Sequence, residues 1–296
     1  MKIPKLYKDN RQYGDTAFRQ CQLVGLHLLY VFDEICSRNH LTYFLEGGTA
    51  LGAIRHKGFI PWDDDVDVGM PIADYRKFLN IARDELPDDV ILQTPSDVPT
   101  LARTFSKLRD CYSFSYENCS IPCNAQSGIP IDIFPFEDCP NVGEKFRIFI
   151  CRAAAYSLGH MKIEMGECVA GMRAMFLHLP LAIVNWIMHS FVRLVWNVLK
   201  VILPCNRMSV PIEDSDTRAC YYKKDVFPTT KVLFEDGEFP IYRNWDRVLS
   251  MHYGDWEMPP PVSQRPVHLS FCDPFRSATG LRYPLGDNQQ GRSAAQ

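Results

Sequence analysis

"GFIPWDDDVDVGMP" at residues 58–71 places four aspartates in five positions and then returns to apolar residues. Side chains on a β-strand alternate between its two faces, so a strand here would project Asp63, Asp65 and Asp67 to one side. Three carboxylates on one face repel one another unless a divalent cation binds them or they lie at a solvated strand end. The stretch therefore predicts either a cation site in a sheet or a charged loop before a strand.

The residues that precede the acidic stretch favour a phosphate ligand. The apolar run 41–45 predicts a strand, the glycines at 47–48 predict a turn, and residues 50–54 suit a short helix. Paired glycines let a ligand approach the backbone, and the N–H groups at a helix start favour a phosphate. Arg, His and Lys follow at 55–57. Such cations beside carboxylates suit a phosphate that a metal bridges to the acids.

The kind of metal follows from the ligands. The spacing of the aspartates resembles the start of a calcium-binding EF-hand loop, but the sixth position is Val68 instead of glycine and the twelfth is Asp74 instead of glutamate. Because all the candidate ligand atoms are oxygens, the sequence favours Mg²⁺ or Mn²⁺.

Three stretches resemble one known family. Residues 46–71 ("EGGTALGAIRHKGFIPWDDDVDVGMP") closely resemble the signature of the LicD family, which includes bacterial phosphocholine transferases and is related to the fukutin-type proteins. Residues 128–138 ("GIPIDIFPFED") resemble its second block, and residues 253–268 ("YGDWEMPPPVSQRPVH") resemble its C-terminal block. The resemblance runs from about residue 20 to about residue 270 in the family's order.

The resemblance implies an α+β fold with a nucleotidyltransferase-like mixed sheet flanked by helices, and a helical insertion. It also implies that the Gly-Gly turn meets the donor phosphates and that Asp65 and Asp67 hold the metal. A third acid is expected from a neighbouring strand. Asp132 fits, because "IPIDIFP" alternates apolar residues with this acid and ends at Pro135 as a short strand.

The activity that the resemblance implies is transfer of phosphocholine, or a similar phospho-alcohol, from a CDP-linked donor to a cell-surface glycan of the lipopolysaccharide, capsule or teichoic acid type. A sugar hydroxyl would attack in line, with one or two metal ions at the acids. Two alternatives remain: nucleotidyl transfer, and a catalytically inactive member that acts as a glycan-assembly factor. The predicted site comprises the catalytic acids Asp65, Asp67 and Asp132; Asp63 as a further metal ligand or orienting acid; the donor-phosphate residues Gly47, Gly48, Thr49, Arg55 and Lys57; and the candidate pocket residues His56, Lys107, Asp255, Arg265 and His268.

Composition limits the possible binding partners of the protein and its possible cellular location. A net charge of −3 with no long basic patch predicts no nucleic-acid partner. Eleven cysteines without regular spacing predict a reducing compartment and free thiols, and no usual zinc pattern fits the four between residues 111 and 139 (Cys111, Cys119, Cys123 and Cys139). Residues 1–18 lack the apolar core of a signal peptide, which predicts a cytoplasmic enzyme of the bacterial kind.

The chain divides by character into four parts. Residues 1–142 are predicted as the catalytic core, 143–210 as a helical insertion, 211–276 as a part that completes the catalytic domain, and 277–296 as a disordered tail. Apolar residues repeat at three and four over positions 21–35, which predicts a helix that covers the first strand, and residues 72–86 predict another. These two helices lie in the predicted core.

Residues 174–203 are apolar and long enough to cross a membrane. Polar residues and a proline interrupt them, which argues against a simple span. A buried helical insertion and an in-plane helix at the inner membrane surface both remain open. The interruptions are His178, Pro180, Asn185, His189, Arg193 and Lys200, and the last two would suit an interface together with Trp186 and Trp196.

Overall fold

A computed structural model describes residues 8–97, 104–117, 127–167, 172–214, 216–265 and 269–284. Within these ranges the strands are β1 (Phe44–Leu45), β2 (Asp67–Pro71), β3 (Val90–Gln93), β4 (Ser106–Asp110), β5 (Phe114–Glu117), β6 (Pro130–Cys139), β7 (Arg207–Ser209), β8 (Cys220–Tyr222), β9 (Thr230–Phe234), β10 (Gly237–Ile241) and β11 (Leu269–Asp273). The helices are α1 (Ala17–Arg38), α2 (Gly47–Arg55), α3 (Ile72–Glu85), α4 (Glu144–Glu167), α5 (Met172–Ile202), α6 (Lys223–Val226) and α7 (Trp245–Tyr253).

The main sheet is mixed. Its order is β1-β2-β6-β4-β3, and β7 and β8 extend it from the far end of β6. Strands β2 and β6 run parallel, whereas β1, β3, β4, β7 and β8 pair with their neighbours in antiparallel fashion. Apolar side chains of the central strands are fully buried, among them Val68, Ile131 and Ile133. The predicted α+β class with a mixed sheet is confirmed.

Helix α1 begins where Thr16 Oγ1 accepts a hydrogen bond from the Arg19 N–H at 3.1 Å. Its residues at positions 21, 24, 28, 31 and 35 are all buried, as the periodicity predicted. The helix packs on β4, β6 and β11, and its Phe32 ring also contacts Tyr43 of the predicted first strand, with the ring centres 4.9 Å apart. Helix α3 also agrees with the prediction, and it ends one residue earlier.

Of the two alternatives for the acidic stretch, the structure shows the charged loop before a strand, and the predicted end of the strand that carries Asp132 is wrong. The acidic stretch does not form a strand until Asp67, because residues 61–66 are irregular and the Asp63 N–H closes a turn onto Ile60 O. Strand β6 does not end at Pro135 but continues to Cys139. The Asp132 N–H donates to Val66 O, on the β2 side of β6. Because N–H groups alternate along a strand, Pro135, which has no N–H, is at a position that faces the opposite side, beyond the residues of β6 that pair with β4.

Helices α4 and α5 form a hairpin, which confirms that the insertion is helical but not that it is buried. One described helical segment, His178–Ile202, is long and apolar enough to cross a membrane, and 17% of its most apolar window is buried. A single stripe packs inward, with Ala182, Val192 and Trp196 at its centre. The expected interfacial position of Trp196 is therefore wrong, because this side chain is 3% exposed.

The cysteines depart from the predicted free thiols at one point. Cys21 of α1 and Cys272 of β11 form a disulfide bond across 251 residues of sequence. Folding brings α1 under the C-terminal strand, a proximity that spacing along the chain does not reveal. Cys111 and Cys139 are free, as expected. Cys119 and Cys123 lie outside the described residues.

The C-terminal segment packs onto the same core as the first half of the chain. Phe234, Phe239 and Tyr242 belong to the cluster that contains Phe44 of β1 and Val68 of β2. Of the predicted tail, residues 277–284 are described, and the Ser277 N–H donates to Leu281 O at 2.9 Å.

Candidate active site

The predicted acids meet at the start of two parallel strands. Asp67 is the first residue of β2, and Asp132 lies opposite it in the register of β6. Just upstream, Asp63, Asp64 and Asp65 each offer a carboxylate oxygen within 4.8 Å of the others. The irregular backbone before β2 gathers these acids, so the site forms by a turn and not by the strand alternation that the sequence suggested.

Burial and repulsion from neighbouring carboxylates raise the pKa values of two of these acids, Asp67 and Asp63. Burial raises the pKa of Asp67 well above its ordinary value, and the charges of Asp65 and Asp132 raise it further. Burial and the charge of Asp65 raise the pKa of Asp63 to about 8. The local protein environment thus disfavours the ionised cluster, which is the condition under which a divalent cation binds favourably. The all-oxygen donor set fits Mg²⁺ or Mn²⁺.

Asp132 differs from the other acids because a lysine side chain of the protein lies beside its carboxylate. Lys107 lies opposite Asp132 in the antiparallel register of β4, and its Nζ is 2.9 Å from Asp132 Oδ1. Both side chains are largely buried, at 5% and 15% exposure. Lys107 was a candidate pocket residue, but it does not line the described cavity and instead pairs with the third acid.

The Gly-Gly turn fits against the acids. Helix α2 begins at Gly47, whose φ of 53° is in the left-handed region. A Cβ on Gly48 would lie 2.5 Å from Asp63 Oδ2, so an alanine would displace that carboxylate. Thr49 is buried, and its Oγ1 accepts the Asp67 N–H at 2.9 Å. Thr49 therefore positions β2, and the predicted contact of the two glycines with phosphate stays a prediction.

A cavity of about 740 Å³ opens beside the acids. Of the predicted site it is lined by Gly47, Gly48, Arg55, Asp63, Asp65, Asp67 and Asp255. Its aromatic walls are Trp62, Phe134, Tyr253 and Trp256, and further polar walls come from Asp214, Asp216 and Arg218. Apolar and aromatic walls with a few convergent charged groups are typical of small-molecule sites.

The predicted cations lie in different places. Arg55 is half-buried at the cavity, where its Nη1 donates to Trp256 O at 2.8 Å. Arg265 stands outside the lining, with its guanidinium 3.8 Å from the ring centre of Trp62. The side chain of Lys57 is exposed, and His56 lies beside Trp62, so neither lines the cavity. His268 lies outside the described residues.

Sequence reasoning missed a buried network behind the turn. Glu46 precedes α2, and its two carboxylate oxygens accept hydrogen bonds from Tyr221 and Tyr242, each at 2.5 Å. Burial raises the pKa of Glu46 to about 7. The Tyr221 hydroxyl also lies 3.0 Å from Nδ1 of His252, which lines the cavity. Glu46 stands in the first family block, but its partners are 175 and 196 residues away and carry no local signal.

Comparison with known proteins agrees with this geometry. Residues 40–147 match the family model described as "LicD/FKTN/FKRP, nucleotidyltransferase domain". The chain is 28% identical over 264 residues to the lipopolysaccharide cholinephosphotransferase LicD of Haemophilus influenzae, covering 86% of this chain and 96% of that protein. It is 59% identical over 32 residues to the human ribitol 5-phosphate transferase FKRP, which is 11% of this chain and 6% of that protein. The chain therefore carries a LicD-type nucleotidyltransferase domain at residues 40–147, and the predicted resemblance to the LicD family is confirmed.

Proposed function

We propose that this protein is a metal-dependent phosphotransferase that moves phosphocholine, or a similar phospho-alcohol, from a CDP-linked donor to a cell-surface glycan. The observation that supports it most is the half-buried acid cluster at the wall of a cavity large enough for a nucleotide-linked donor. The name of the Haemophilus influenzae relative, a lipopolysaccharide cholinephosphotransferase, supports phosphocholine and a lipopolysaccharide-type acceptor.

The residues that would hold Mg²⁺ or Mn²⁺ are Asp65 and Asp67, with Asp63 beside them. When bound, such a cation neutralises phosphate oxygens and polarises the bond to the leaving group. Because Asp132 is paired with Lys107, we assign it first to neutralising this lysine between β4 and β6 and second to holding the metal.

The other residues of the cavity bind and orient the donor. Arg55 is fixed at the wall by its bond to Trp256 O, and its guanidinium can neutralise oxygens of the departing phosphate. Trp62 and Tyr253 offer aromatic surface on which a pyrimidine or a quaternary ammonium group can pack. Their burial of the donor would also exclude water, which would otherwise compete with the sugar hydroxyl.

We also propose a cytoplasmic location at the inner face of a membrane. The Cys21–Cys272 disulfide argues against this location, because such bonds persist in oxidising compartments and are rare in the cytosol, so the state of this pair in cells is a direct check. Rapid alkylation of cells followed by mass spectrometry reports the state of this pair. Alkylated thiols at both positions support the cytoplasm, and a disulfide in living cells contradicts it.

The transfer reaction is tested by phosphorus NMR of the full chain with Mg²⁺, lipopolysaccharide or extracted glycans as acceptor, and CDP-choline, CDP-ribitol or CDP-glycerol in turn. We expect CMP and a new phosphodiester signal with wild type, absent with Asp65→Asn and retained with Asp138→Asn, an exposed acid at the far end of β6. A nucleotide attached to the product would indicate nucleotidyl transfer instead. No turnover and no metal-dependent donor binding would contradict the enzyme and favour an assembly factor.

A further inference from the structure

The outer face of α5 is apolar and has no described partner. The exposed side chains include Ile183, Trp186, Ile187, Phe191, Leu194 and Val201, and they stand between 48% and 87% exposed. Single exposed apolar residues are common on soluble proteins, but a continuous apolar face of this length marks an interaction surface. The charges of the hairpin indicate what kind of partner binds this surface.

The charged groups of α5 face the catalytic body. Arg193 Nε lies 2.5 Å from Oε1 of Glu213, a side chain that is 2% exposed, and Lys200 Nζ lies 2.5 Å from Glu137 Oε2. These two ion pairs and the buried Trp196 fix the C-terminal half of α5 to the sheet. A helix that crossed a bilayer would have to break them, so the structure favours a helix that lies on a membrane over one that spans it.

Helix α4 adds positive charge to the hairpin. Lys145, Phe149, Arg152 and Tyr156 recur at four, three and four residues, so they share one helix face, and all four are exposed. Residues 144–203 contain seven Lys or Arg against three Glu, a net charge of +4, whereas the remainder of the chain has a net charge of −7. Arg147, Arg193 and Lys200 are paired with Glu144, Glu213 and Glu137, so the exposed positive charge among the described side chains of the hairpin is carried by Lys145 and Arg152 of α4.

We infer that the α4–α5 hairpin docks the protein on an anionic lipid bilayer, with α5 lying in the plane of the interface. Cations that flank an apolar helix face are the features by which such helices bind anionic lipid. A second copy of the chain is a poorer occupant, because it would bring the same cationic element against itself. The inference does not depend on which group the enzyme transfers, since it concerns binding alone.

Flotation of the full chain with vesicles tests this docking. We expect binding to vesicles of phosphatidylcholine with phosphatidylglycerol, and weak binding to phosphatidylcholine alone. Ile187→Asp with Leu194→Asp should reduce binding about tenfold or more, because both side chains would leave the acyl boundary. Phe271→Asp with Leu281→Asp adds the same charge at exposed apolar positions elsewhere and should bind as wild type does.

A second measurement locates the contact. Trp186 is 58% exposed, so brominated lipids should quench part of the tryptophan fluorescence in wild type, and Trp186→Phe should bind equally but lose that part. Lys145→Gln with Arg152→Gln should weaken binding to anionic vesicles about fivefold for each cation removed.

Three results would overturn the docking itself, and a fourth would overturn the in-plane arrangement. The first is no binding to either vesicle, and the second is an equal loss of binding in the control pair. The third is a dimer in light scattering that Ile187→Asp with Leu194→Asp dissociates in the absence of vesicle binding, which would assign the face to a second copy. Resistance to extraction by alkaline carbonate would contradict the in-plane arrangement and favour a spanning helix.

Discussion

The acidic turn and the helical hairpin depart in opposite ways from the usual arrangement of folded proteins, in which apolar side chains are buried and charged side chains exposed. Residues 63–67 crowd half-buried carboxylates against one another, whereas α5 exposes apolar side chains to water. Each arrangement is unfavourable in the isolated chain, because buried charge and exposed apolar surface both carry a free-energy cost. Both costs would fall on binding of the proposed ligands, a cation in one region and a lipid surface in the other.

The largest effect is expected at Asp67. Asp67→Asn should lower transfer about a thousandfold, because it removes a proposed metal ligand and a charge that would hold the cation. The free energy of unfolding of the metal-free protein should not fall, since burial already disfavours ionised Asp67. Activity assays and urea denaturation measure the two effects separately.

Asp138→Asn is the matched control for this experiment, because Asp138 lies on β6 but is 61% exposed. We expect its activity and stability to equal those of wild type. A variant at Asp67 that unfolds at low urea would mean that the acid is structural, and the contrast between the two regions would then fail.

The sequence was informative where chemistry is local. The family resemblance implied a third acid on a neighbouring strand, the alternation of "IPIDIFP" indicated Asp132, and this residue lies opposite Asp67; the helical period correctly predicted the buried face of α1. Contacts between distant segments carried no such signal. Lys107 meets Asp132 only because β4 pairs with β6, and Glu46 meets its tyrosines only after the C-terminal segment packs onto β1.

Exposure of α5 was equally beyond the sequence, for a different reason. Its inward stripe repeats with the helical period, but its other faces are apolar too, so composition describes a core helix and an interfacial helix alike. Whether α5 is a core helix or an interfacial helix depends on how much of the protein surrounds it, which only the tertiary structure determines.

The next largest effect is expected at the ion pair in the sheet. Lys107→Met should lower the free energy of unfolding by about 3 kcal/mol, because it leaves the Asp132 carboxylate without its buried partner. Lys107→Met with Asp132→Asn should recover most of that loss. Urea denaturation of the single and double variants measures the coupling, and additive losses would contradict the pair.

Substituting one glycine in each region by alanine should change stability in opposite directions and by smaller amounts. Gly48→Ala should destabilise the protein by about 2 kcal/mol, because its Cβ would meet Asp63 Oδ2 at 2.5 Å. Gly159→Ala in α4 meets no atom within 4 Å and should stabilise the helix by about 1 kcal/mol. Thermal unfolding of both variants gives the comparison, and equal shifts in Tm would contradict the close packing at the turn.

A pH effect is the smallest that we predict. The pKa of Asp63 is raised to about 8, so at pH 7 the cluster holds protons that a cation must displace. Binding of Mg²⁺ should therefore release protons, and the affinity should rise by up to about tenfold per pH unit from pH 6 until it levels near pH 8. Calorimetry in two buffers of different ionisation enthalpy measures the release, and Asp63→Asn should reduce it.

The sign is opposite for the metal-free protein. Because the folded pKa of Asp63 lies above its ordinary value, its contribution to stability is present at low pH and is lost as the pH rises toward 8. Added Mg²⁺ should remove much of that dependence. A metal-free protein that gains stability from Asp63 between pH 6 and 8 would contradict the repulsion in the cluster.

Binding of Mn²⁺ to the acidic turn tests the central claim most directly. Electron paramagnetic resonance of free Mn²⁺, titrated with wild type, Asp67→Asn and Asp138→Asn, counts the bound ions without substrate or turnover. We predict saturable binding to wild type and Asp138→Asn, competed by Mg²⁺, and at least about a tenfold weaker affinity in Asp67→Asn. Equal affinity in all three proteins, or no binding to wild type, would contradict the account.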